Sequence, residues 1–336
     1  MKTAILSLLL CLPLGLLDGC KKSSGDFAGG GSGGKQLTVA MMPKSKGNDY
    51  FKACKVGADK AAKELNVKLV WDGPTTPDPA KQNDLVDTWI TRGVDVIAVA
   101  CDNRDAISSA LLRARKAGIT VVTYDADSDP ASRDFFVNQG TPEAIGNSLM
   151  DNAATAMGNK GEFAIITASL TASNMIEWQK TIEARLKEKY PDIKLVDTQA
   201  CNDNDKEAYA RATTILGSHP NVKLIMAICS PAVPAAADAV TKAGKASEVK
   251  VMGLGLPTMN KPYLKSGVTD CVILWNPQEL GYLAVQTAVA VKNGTLKPGA
   301  TSFDVPNWRK VEIKGDNVIL GTPVKYTKEN VEQFDF

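Results

Sequence analysis

The feature that most constrains the fold is a regular alternation of apolar runs and amphipathic segments from residue 37 onward. Most of the runs are continuous stretches of aliphatic and β-branched residues, which is typical of parallel strands covered on both faces. Repeated strand–helix units predict an α/β protein with doubly wound parallel sheets. The predicted strands are 37–42, 67–71, 95–100, 119–124, 162–168, 193–199, 224–229, 249–254 and 270–275.

The length of the chain favours two lobes. A chain of 336 residues exceeds what one hydrophobic core usually serves. A predicted loop around 128–142 divides the strand–helix units into two groups, and the tail beyond the last long helix is predicted to be β-structure. The predicted N-terminal lobe combines 37–127 with 276–308, and the C-terminal lobe combines 128–275 with 309–336.

The first twenty residues are predicted to be an export signal. Lys2 provides a positive charge, and an apolar run that is too short to span a bilayer stably follows it. The sequence Leu17-Asp18-Gly19-Cys20 resembles a bacterial lipobox, in which the cysteine is acylated, although Asp18 is unusual at its position. The alternative is a plain secretory signal with an incidental cysteine. Either way we expect an exported protein, and the Gly/Ser-rich segment 21–36 is predicted to be a flexible tether.

Charge and cysteine content exclude several classes of protein. The 39 basic and 37 acidic side chains nearly balance, and no basic arm is present, so nucleic acid is a poor candidate partner. The single histidine and the absence of a C-x-x-C spacing argue against a metal site, and we expect no metal and no cofactor. Buried free thiols are predicted, with one disulfide left open, at Cys54, Cys101, Cys201, Cys229 and Cys271.

The residues that follow the strands predict a binding site. Ligands of open α/β sheets bind beyond the carboxyl ends of the strands. These positions are rich in Asn, Asp and Trp, and they lack a nucleophile–base pair. Amides and carboxylates match the hydroxyls of a carbohydrate, and aromatic faces cover its C–H surface. The positions are Lys44, Asn48, Tyr50, Phe51, Asp102, Asn103, Arg104, Asp125, Asp127, Ser169, Asn174, Trp178, Asn202, Asp203, Asn204, Ser230, Trp275 and Asn276.

Single positions also have simpler explanations. Asn48 is placed to cap the helix that begins near residue 49. Lys44 would serve equally as a solvated loop charge, and Asp125 as a turn former. Of the two adjacent aromatics, Phe51 is predicted to be a core residue and Tyr50 to face a ligand. The prediction of a site therefore depends on the whole constellation.

Several short motifs resemble one known family. They are Pro43-Lys44 followed by Gly-x-x-Tyr-Phe, DGPT at 72–75, D-x-D at 125–127, NQGTPE at 138–143, MNKPY at 259–263 and LWN at 274–276. Together they are similar to the ribose-type periplasmic sugar-binding proteins, the receptors of ABC importers. The nearest subgroup is the rhamnose-binding and autoinducer-2-binding receptors. The resemblance covers residues 37–336.

This resemblance implies two lobes joined by three hinge strands, with a monosaccharide or related polyol enclosed between them and no catalysis. It implies a monomeric receptor that serves a membrane permease and is anchored by lipid in the periplasm or at the cell surface. The implied contacts are Lys44, Tyr50 and Asp125 from the first lobe, Asn174, Asn204 and Ser230 from the second, and Trp275 and Asn276 at the hinge. Asn48, Asp127 and Trp178 complete the predicted ligand-binding set.

Departures from the family pattern leave the ligand open. The autoinducer-2 receptors carry Asp-Gln where this chain has Asn174 and Met175, which argues against that ligand. The ribose receptors carry an arginine near position 174 and an aspartate where this chain has Gly255. A signalling receptor that presents autoinducer-2 or a sugar to a membrane sensor remains the alternative function.

Overall fold

The computed structural model describes residues 36–336, so the predicted signal peptide, the predicted acylation site at Cys20 and nearly all of the predicted tether lie outside the described residues. The strands are β1 (Thr38–Met42), β2 (Lys68–Trp71), β3 (Val96–Val99), β4 (Thr120–Tyr124), β5 (Phe135–Asn138), β6 (Gly161–Thr167), β7 (Ile193–Ala200), β8 (Val222–Ala227), β9 (Lys250–Leu254), β10 (Thr269–Leu274), β11 (Ser302–Asp304), β12 (Lys310–Lys314), β13 (Asn317–Ile319) and β14 (Val324–Tyr326). The helices are α1 (Asp49–Glu64), α2 (Pro79–Arg92), α3 (Arg104–Lys116), α4 (Pro142–Ala156), α5 (Ser173–Lys189), α6 (Asp205–Ser218), α7 (Ala232–Lys242), α8 (Pro257–Ser266) and α9 (Pro277–Lys292).

These strands form two sheets, one in each lobe. The first sheet has the order β11-β12-β13-β5-β4-β3-β1-β2, and the second has the order β14-β10-β9-β8-β6-β7. The pairs among β1 to β5 and among β6 to β10 are all parallel, as continuous apolar runs predict. The predicted fold class, two parallel-sheet lobes, is confirmed.

The predicted lobe boundaries need correction at two places. β5 pairs with β4 in the first sheet, so the first lobe continues past residue 127 to the end of that strand. β12 and β13 also belong to the first sheet, so the boundary at 308 was too early. The chain therefore crosses between the lobes three times, after β5, after β10 and after β13. β5 was missed because it has only four residues and lies between polar segments.

The body cysteines are thiols in the structure, as predicted, and the described helices can be checked for membrane spans. All five body cysteines are buried and free, at Cys54, Cys101, Cys201, Cys229 and Cys271. Cys201 and Cys229 lie closest, with their sulfur atoms 3.5 Å apart. None of the helices within residues 36–336 has the length and apolarity that crossing a bilayer requires.

Helices α1 and α9 pack with their backbones in direct contact in the first lobe. A Cβ on Gly281 would lie 1.9 Å from the carbonyl oxygen of Cys54, and one on Gly57 would lie 1.7 Å from that of Gln278. No side chain fits at either glycine, because real Cβ atoms do not approach other atoms so closely. Gly57 and Gly281 thus set the distance between α1 and α9.

We expect Gly281→Ala to lower the free energy of unfolding by about 3 kcal/mol, because overpacking a well-filled contact forces the helices apart. The matched control is Gly217→Ala in α6, where an added Cβ meets open space. That control should raise stability by about 0.5–1 kcal/mol, since alanine is the better helix former. Denaturant unfolding of both variants measures the difference, and equal stability of Gly281→Ala and the parent would contradict the packing argument.

Candidate functional site

A cavity of about 280 Å³ lies between the lobes, at the carboxyl ends of strands from both sheets. Its position agrees with the general rule for ligand sites in open α/β sheets. The first lobe lines it with Lys44, Asn48, Tyr50, Phe51, Pro77, Pro79, Asp102 and Asp125. The second lobe and the crossing after β10 line it with Ala168, Ser169, Thr171, Ala172, Asn174, Met175, Trp178, Asn202, Asp203, Ile228, Cys229, Ser230, Leu254, Leu274 and Trp275.

A buried ion pair forms the polar centre of the cavity. Lys44 Nζ lies 3.0 Å from Asp125 Oδ2, and it donates a hydrogen bond of 3.1 Å to Asn174 Oδ1 in the other lobe. Burial acts to lower the pKa of Lys44, but the charge of Asp125 and the hydrogen bond to it outweigh burial and leave that pKa above its usual value. Lys44 is therefore a charged donor, and two of its three hydrogen bonds are used within the protein.

The backbone at Asp125 aims its carboxylate into the cavity. Asp125 has a φ of +63°, in the left-handed region that aspartate tolerates better than most residues. The carbonyl oxygen of Asp125 accepts a hydrogen bond from Gln139 Nε2 at 3.0 Å, and the backbone N–H of Asp125 donates to the carbonyl oxygen of Val137 at 3.3 Å. These contacts with β5 and the residue after it hold the turn at the end of β4.

Asn48 connects the lobes at the mouth of the cavity. Its Oδ1 accepts from the backbone N–H of Tyr50 at 2.9 Å, which confirms the predicted helix cap. The same oxygen accepts from Ser230 Oγ at 3.0 Å, and Nδ2 donates to Asp203 Oδ2 at 2.7 Å. Burial raises the pKa of Asp203, although its hydrogen bond with Asn48 opposes that rise. Asn48 thus serves as a clasp between the lobes as well as a cap.

Aromatic side chains line one side of the cavity. The indole N–H of Trp275 donates to the hydroxyl of Tyr50 at 2.8 Å, and the rings of Trp178 and Trp275 are 5.8 Å apart. Phe51 is 2% exposed and packs in the core, as predicted, but it also contributes to the lining. Tyr50 lines the cavity beside it. The structure therefore brings both adjacent aromatics to the site.

Three of the predicted ligand-binding residues lie outside this cavity. Asp127 forms a buried two-bond ion pair with Arg133, at 2.6 and 2.8 Å, so its carboxylate is used within the first lobe. Asn204 caps α6 by accepting from the N–H of Glu207, and Asn276 caps α9. Their amide oxygens are committed to helix ends, so the structure does not bring these three residues to the cavity lining. For the eight that do line the cavity, contact with a ligand stays a prediction.

Two carboxylates that are among the strand-end positions, but outside the predicted ligand-binding set, also line the cavity. Asp102 follows β3 and Asp203 follows β7, so both lie beyond the carboxyl ends of strands. The carboxylate of Asp102 is buried and makes no hydrogen bond to another side chain among residues 36–336, while its backbone N–H donates to Gln82. Burial raises the pKa of Asp102, and nearby Lys44 opposes the rise. This free acceptor is available to a ligand.

We expect Asp102→Asn to raise the stability of the ligand-free protein at pH 7 and to weaken ligand binding. A carboxyl whose pKa is raised by folding contributes stability below its unfolded pKa and loses that contribution as the pH rises through the folded pKa. At pH 7 the buried charge therefore opposes folding, and asparagine removes it. Unfolding midpoints measured at pH 7 and near pH 3.5 test the sign, since the advantage of Asp102→Asn should shrink at acidic pH.

The comparisons with known proteins identify the family. A family model described as a periplasmic binding protein domain matches residues 39–296. The chain belongs to the periplasmic binding protein family. This match confirms the predicted class, that of exported binding proteins in transport.

Individual relatives agree with this assignment over most of their length. An ABC transporter solute-binding protein from Clostridium phytofermentas, solved with bound L-rhamnose, is 30% identical with a TM-score of 0.85, over 89% of this chain and 98% of its own. LsrB from Clostridium saccharobutylicum in complex with AI-2 is 26% identical with a TM-score of 0.85, over 89% of this chain and all of its own. The D-apiose import binding protein of Paraburkholderia graminis is 28% identical over 269 residues, which are 78% of this chain and 82% of that protein.

Proposed function

We propose that the protein is the solute-binding receptor of an ABC importer, which captures a monosaccharide or related polyol between its lobes and delivers it to a membrane permease. The observation that carries this proposal is the interlobe cavity, whose polar lining residues follow strand ends of both sheets. Its size suits a single sugar ring, and its mixture of carboxylate, ammonium, amide and indole groups suits hydroxyls and C–H faces. The relatives that import sugars support the same function.

Closure of the lobes around the ligand is the proposed mechanism. Three crossings connect the lobes, and Lys44, Asn48 and Ser230 make hydrogen bonds from one lobe to the other. A ligand selects the closed form only through contacts that it makes better there than in the open form. A sugar that bridges the Lys44–Asp125 pair and the amide of Asn174 provides such contacts.

The cavity is better suited to binding than to catalysis. Its lining contains no histidine, and its one thiol belongs to Cys229. The hydrogen bond with Cys201 and burial raise the pKa of Cys229 well above its usual value, which disfavours the reactive thiolate. No lining residue is therefore set up as a nucleophile with its base.

The proposal extends to the location and state of the protein: a monomer held at the membrane by an acylated Cys20 and a short tether. Labelling of the full-length protein with an alkyne fatty acid in the producing cell tests the anchor. The label should appear in the parent and be lost in Cys20→Ala, with release of the protein from membranes. Equal labelling of both proteins would contradict acylation at Cys20.

Thermal unfolding against a panel of ligands tests the central proposal. The panel contains pentoses, hexoses, deoxy sugars, polyols and autoinducer-2. A true ligand binds the native state alone and raises the unfolding midpoint by mass action. A midpoint that no sugar or polyol raises would contradict the proposal, and a rise with autoinducer-2 alone would favour the signalling receptor.

A further inference from the structure

The first lobe gives the cavity a charged wall. β4, β3 and β1 are neighbours in the first sheet, and the segments that follow them contribute Asp125, Asp102 and Lys44. Lys44 is already paired with Asp125, whereas the carboxylate of Asp102 has no side-chain partner among the described residues. This wall therefore offers more hydrogen-bond acceptors than donors, which suits the hydroxyl groups of a neutral ligand.

The second lobe gives the cavity an apolar wall. β10, β9, β8 and β6 are neighbours in the second sheet, and each ends at the cavity in an apolar residue. These residues are Leu274, Leu254, Ile228 and Ala168, each at most 7% exposed. Met175 on α5 extends the same surface.

Three of the polar residues that the second lobe contributes to the lining are used in hydrogen bonds to the first lobe. Asn174 accepts from Lys44, while Asp203 and Ser230 hydrogen bond to Asn48. Ser169, Thr171 and Asn202 also line the cavity from the second lobe, where Ser169 and Thr171 hydrogen bond to each other and Asn202 bonds to Glu207. The apolar residues at the ends of the four adjacent strands therefore form one wall, and the serines beside it, Ser169 and Ser230, each have a side-chain hydrogen bond within the protein.

We infer that the ligand is a neutral deoxy sugar, whose ring hydroxyls face the charged wall and whose methyl group lies against Leu274, Leu254, Ile228 and Met175. This inference rests on the proposed function. A hydroxymethyl group in place of the methyl would bury its hydroxyl against the apolar wall without a hydrogen-bond partner, which is unfavourable. An acidic sugar would place its carboxylate in a cavity that already holds three carboxylates and one ammonium.

Calorimetric titration of matched sugar pairs tests the inference on the unmodified protein. L-rhamnose is paired with L-mannose, L-fucose with L-galactose, and 6-deoxy-D-glucose with D-glucose, so that each pair differs only in the hydroxyl on carbon six. In the pair that binds, we expect the deoxy sugar to bind about 10- to 100-fold more tightly, the range by which apolar pockets reject an added hydroxyl. Glucuronate should not bind.

A variant of the apolar wall provides a second test. Met175→Gln keeps the length of the side chain but supplies an amide, so the ratio of affinities within the binding pair should fall towards one. The matched control is Ile176→Gln, the next residue of α5, which is 48% exposed and does not line the cavity. The control should retain the ratio of the parent protein.

The outcomes separate this inference from the function on which it rests. If hydroxylated sugars bind as tightly as their deoxy partners or more tightly, the inference is overturned and the sugar receptor stands. An unchanged ratio in a folded Met175→Gln protein would also overturn it. If a pentose or a polyol of the thermal panel binds but no member of the matched pairs does, the inference alone is overturned. If no sugar and no polyol binds, both the inference and the proposed function are wrong.

Discussion

Replacing Asp125 by asparagine is expected to weaken ligand binding by about 10- to 100-fold, because a hydrogen bond to a charged acceptor contributes about 1.5–3 kcal/mol. The variant also leaves the buried ammonium of Lys44 without its counter-charge at 3.0 Å. Breaking a buried pair typically costs about 3–5 kcal/mol, so the folded protein should lose stability as well. Asparagine has the same shape and tolerates the φ of +63° at this position, so the backbone should not change.

Asp127→Asn is the matched control for Asp125→Asn. This substitution also removes a buried aspartate charge, two residues along the chain from Asp125. The charge belongs to the ion pair of Asp127 with Arg133, and neither residue lines the cavity. We expect Asp127→Asn to lose stability but to bind the ligand as the parent does. Calorimetric titration and denaturant unfolding of both variants separate the two effects. If folded Asp125→Asn binds as tightly as the parent, Asp125 is not a ligand contact.

Replacing Asn48 by aspartate is expected to weaken binding by about 100-fold, by opposing closure of the lobes. The substitution keeps the oxygen that caps α1 and accepts from Ser230, since aspartate is an equally good cap. It changes only the donor that lies 2.7 Å from Asp203, replacing a charge-assisted hydrogen bond with two facing carboxyl groups. The lost bond and the repulsion both act in the closed form alone, so the open form becomes more populated.

Two further variants show whether closure is the cause. Asn48→Ser keeps a cap but is too short to reach Asp203, so it should weaken binding by about 10-fold without repulsion. Ser230→Ala removes the other bond of the clasp. Small-angle scattering of the ligand-free proteins should give the largest radius of gyration for Asn48→Asp. A compact Asn48→Asp protein with parental affinity would exclude the clasp.

The sequence predicts the sheets well because a strand buried on both faces must be apolar throughout. The predicted strand 95–100 exceeds β3 by one residue at each end, and the predicted strand 249–254 exceeds β9 by one residue at its start. β5 carries the same kind of residues, Phe135 to Asn138, but its four residues are too short a run to stand out beside polar neighbours. Its pairing with β4 depends on the tertiary structure, and the misplaced lobe boundary follows from that.

The sequence predicts those residues of the site whose place is set by the end of a strand, and it does not predict those whose place depends on the turn that follows. Lys44 and Asp125 were found because the carboxyl ends of parallel strands meet at one edge of a sheet. Asp125 and Asp127 look equivalent in the sequence, and the left-handed turn and Arg133 separate them. Asn202, Asp203 and Asn204 also look equivalent as strand-end positions, and the family resemblance favours Asn204; the turn through the left-handed region at Asn202 and Asp203 brings Asp203 to the cavity instead. Backbone turns of this kind leave no clear pattern in composition or spacing.

The aromatic side chains around the cavity form a continuous row from one lobe to the other. Phe51, Tyr50, Trp275 and Trp178 follow one another with ring centres 5.1, 6.1 and 5.8 Å apart. Tyr50 belongs to the first lobe, Trp178 to the second, and Trp275 to the crossing between them. In the proposed mechanism, we expect opening of the lobes to change the contact between Tyr50 and the indole that donates a hydrogen bond to it. We therefore expect the ultraviolet emission of these indoles to change as the cleft opens and closes, which would make the unlabelled protein an optical sensor of its own ligand.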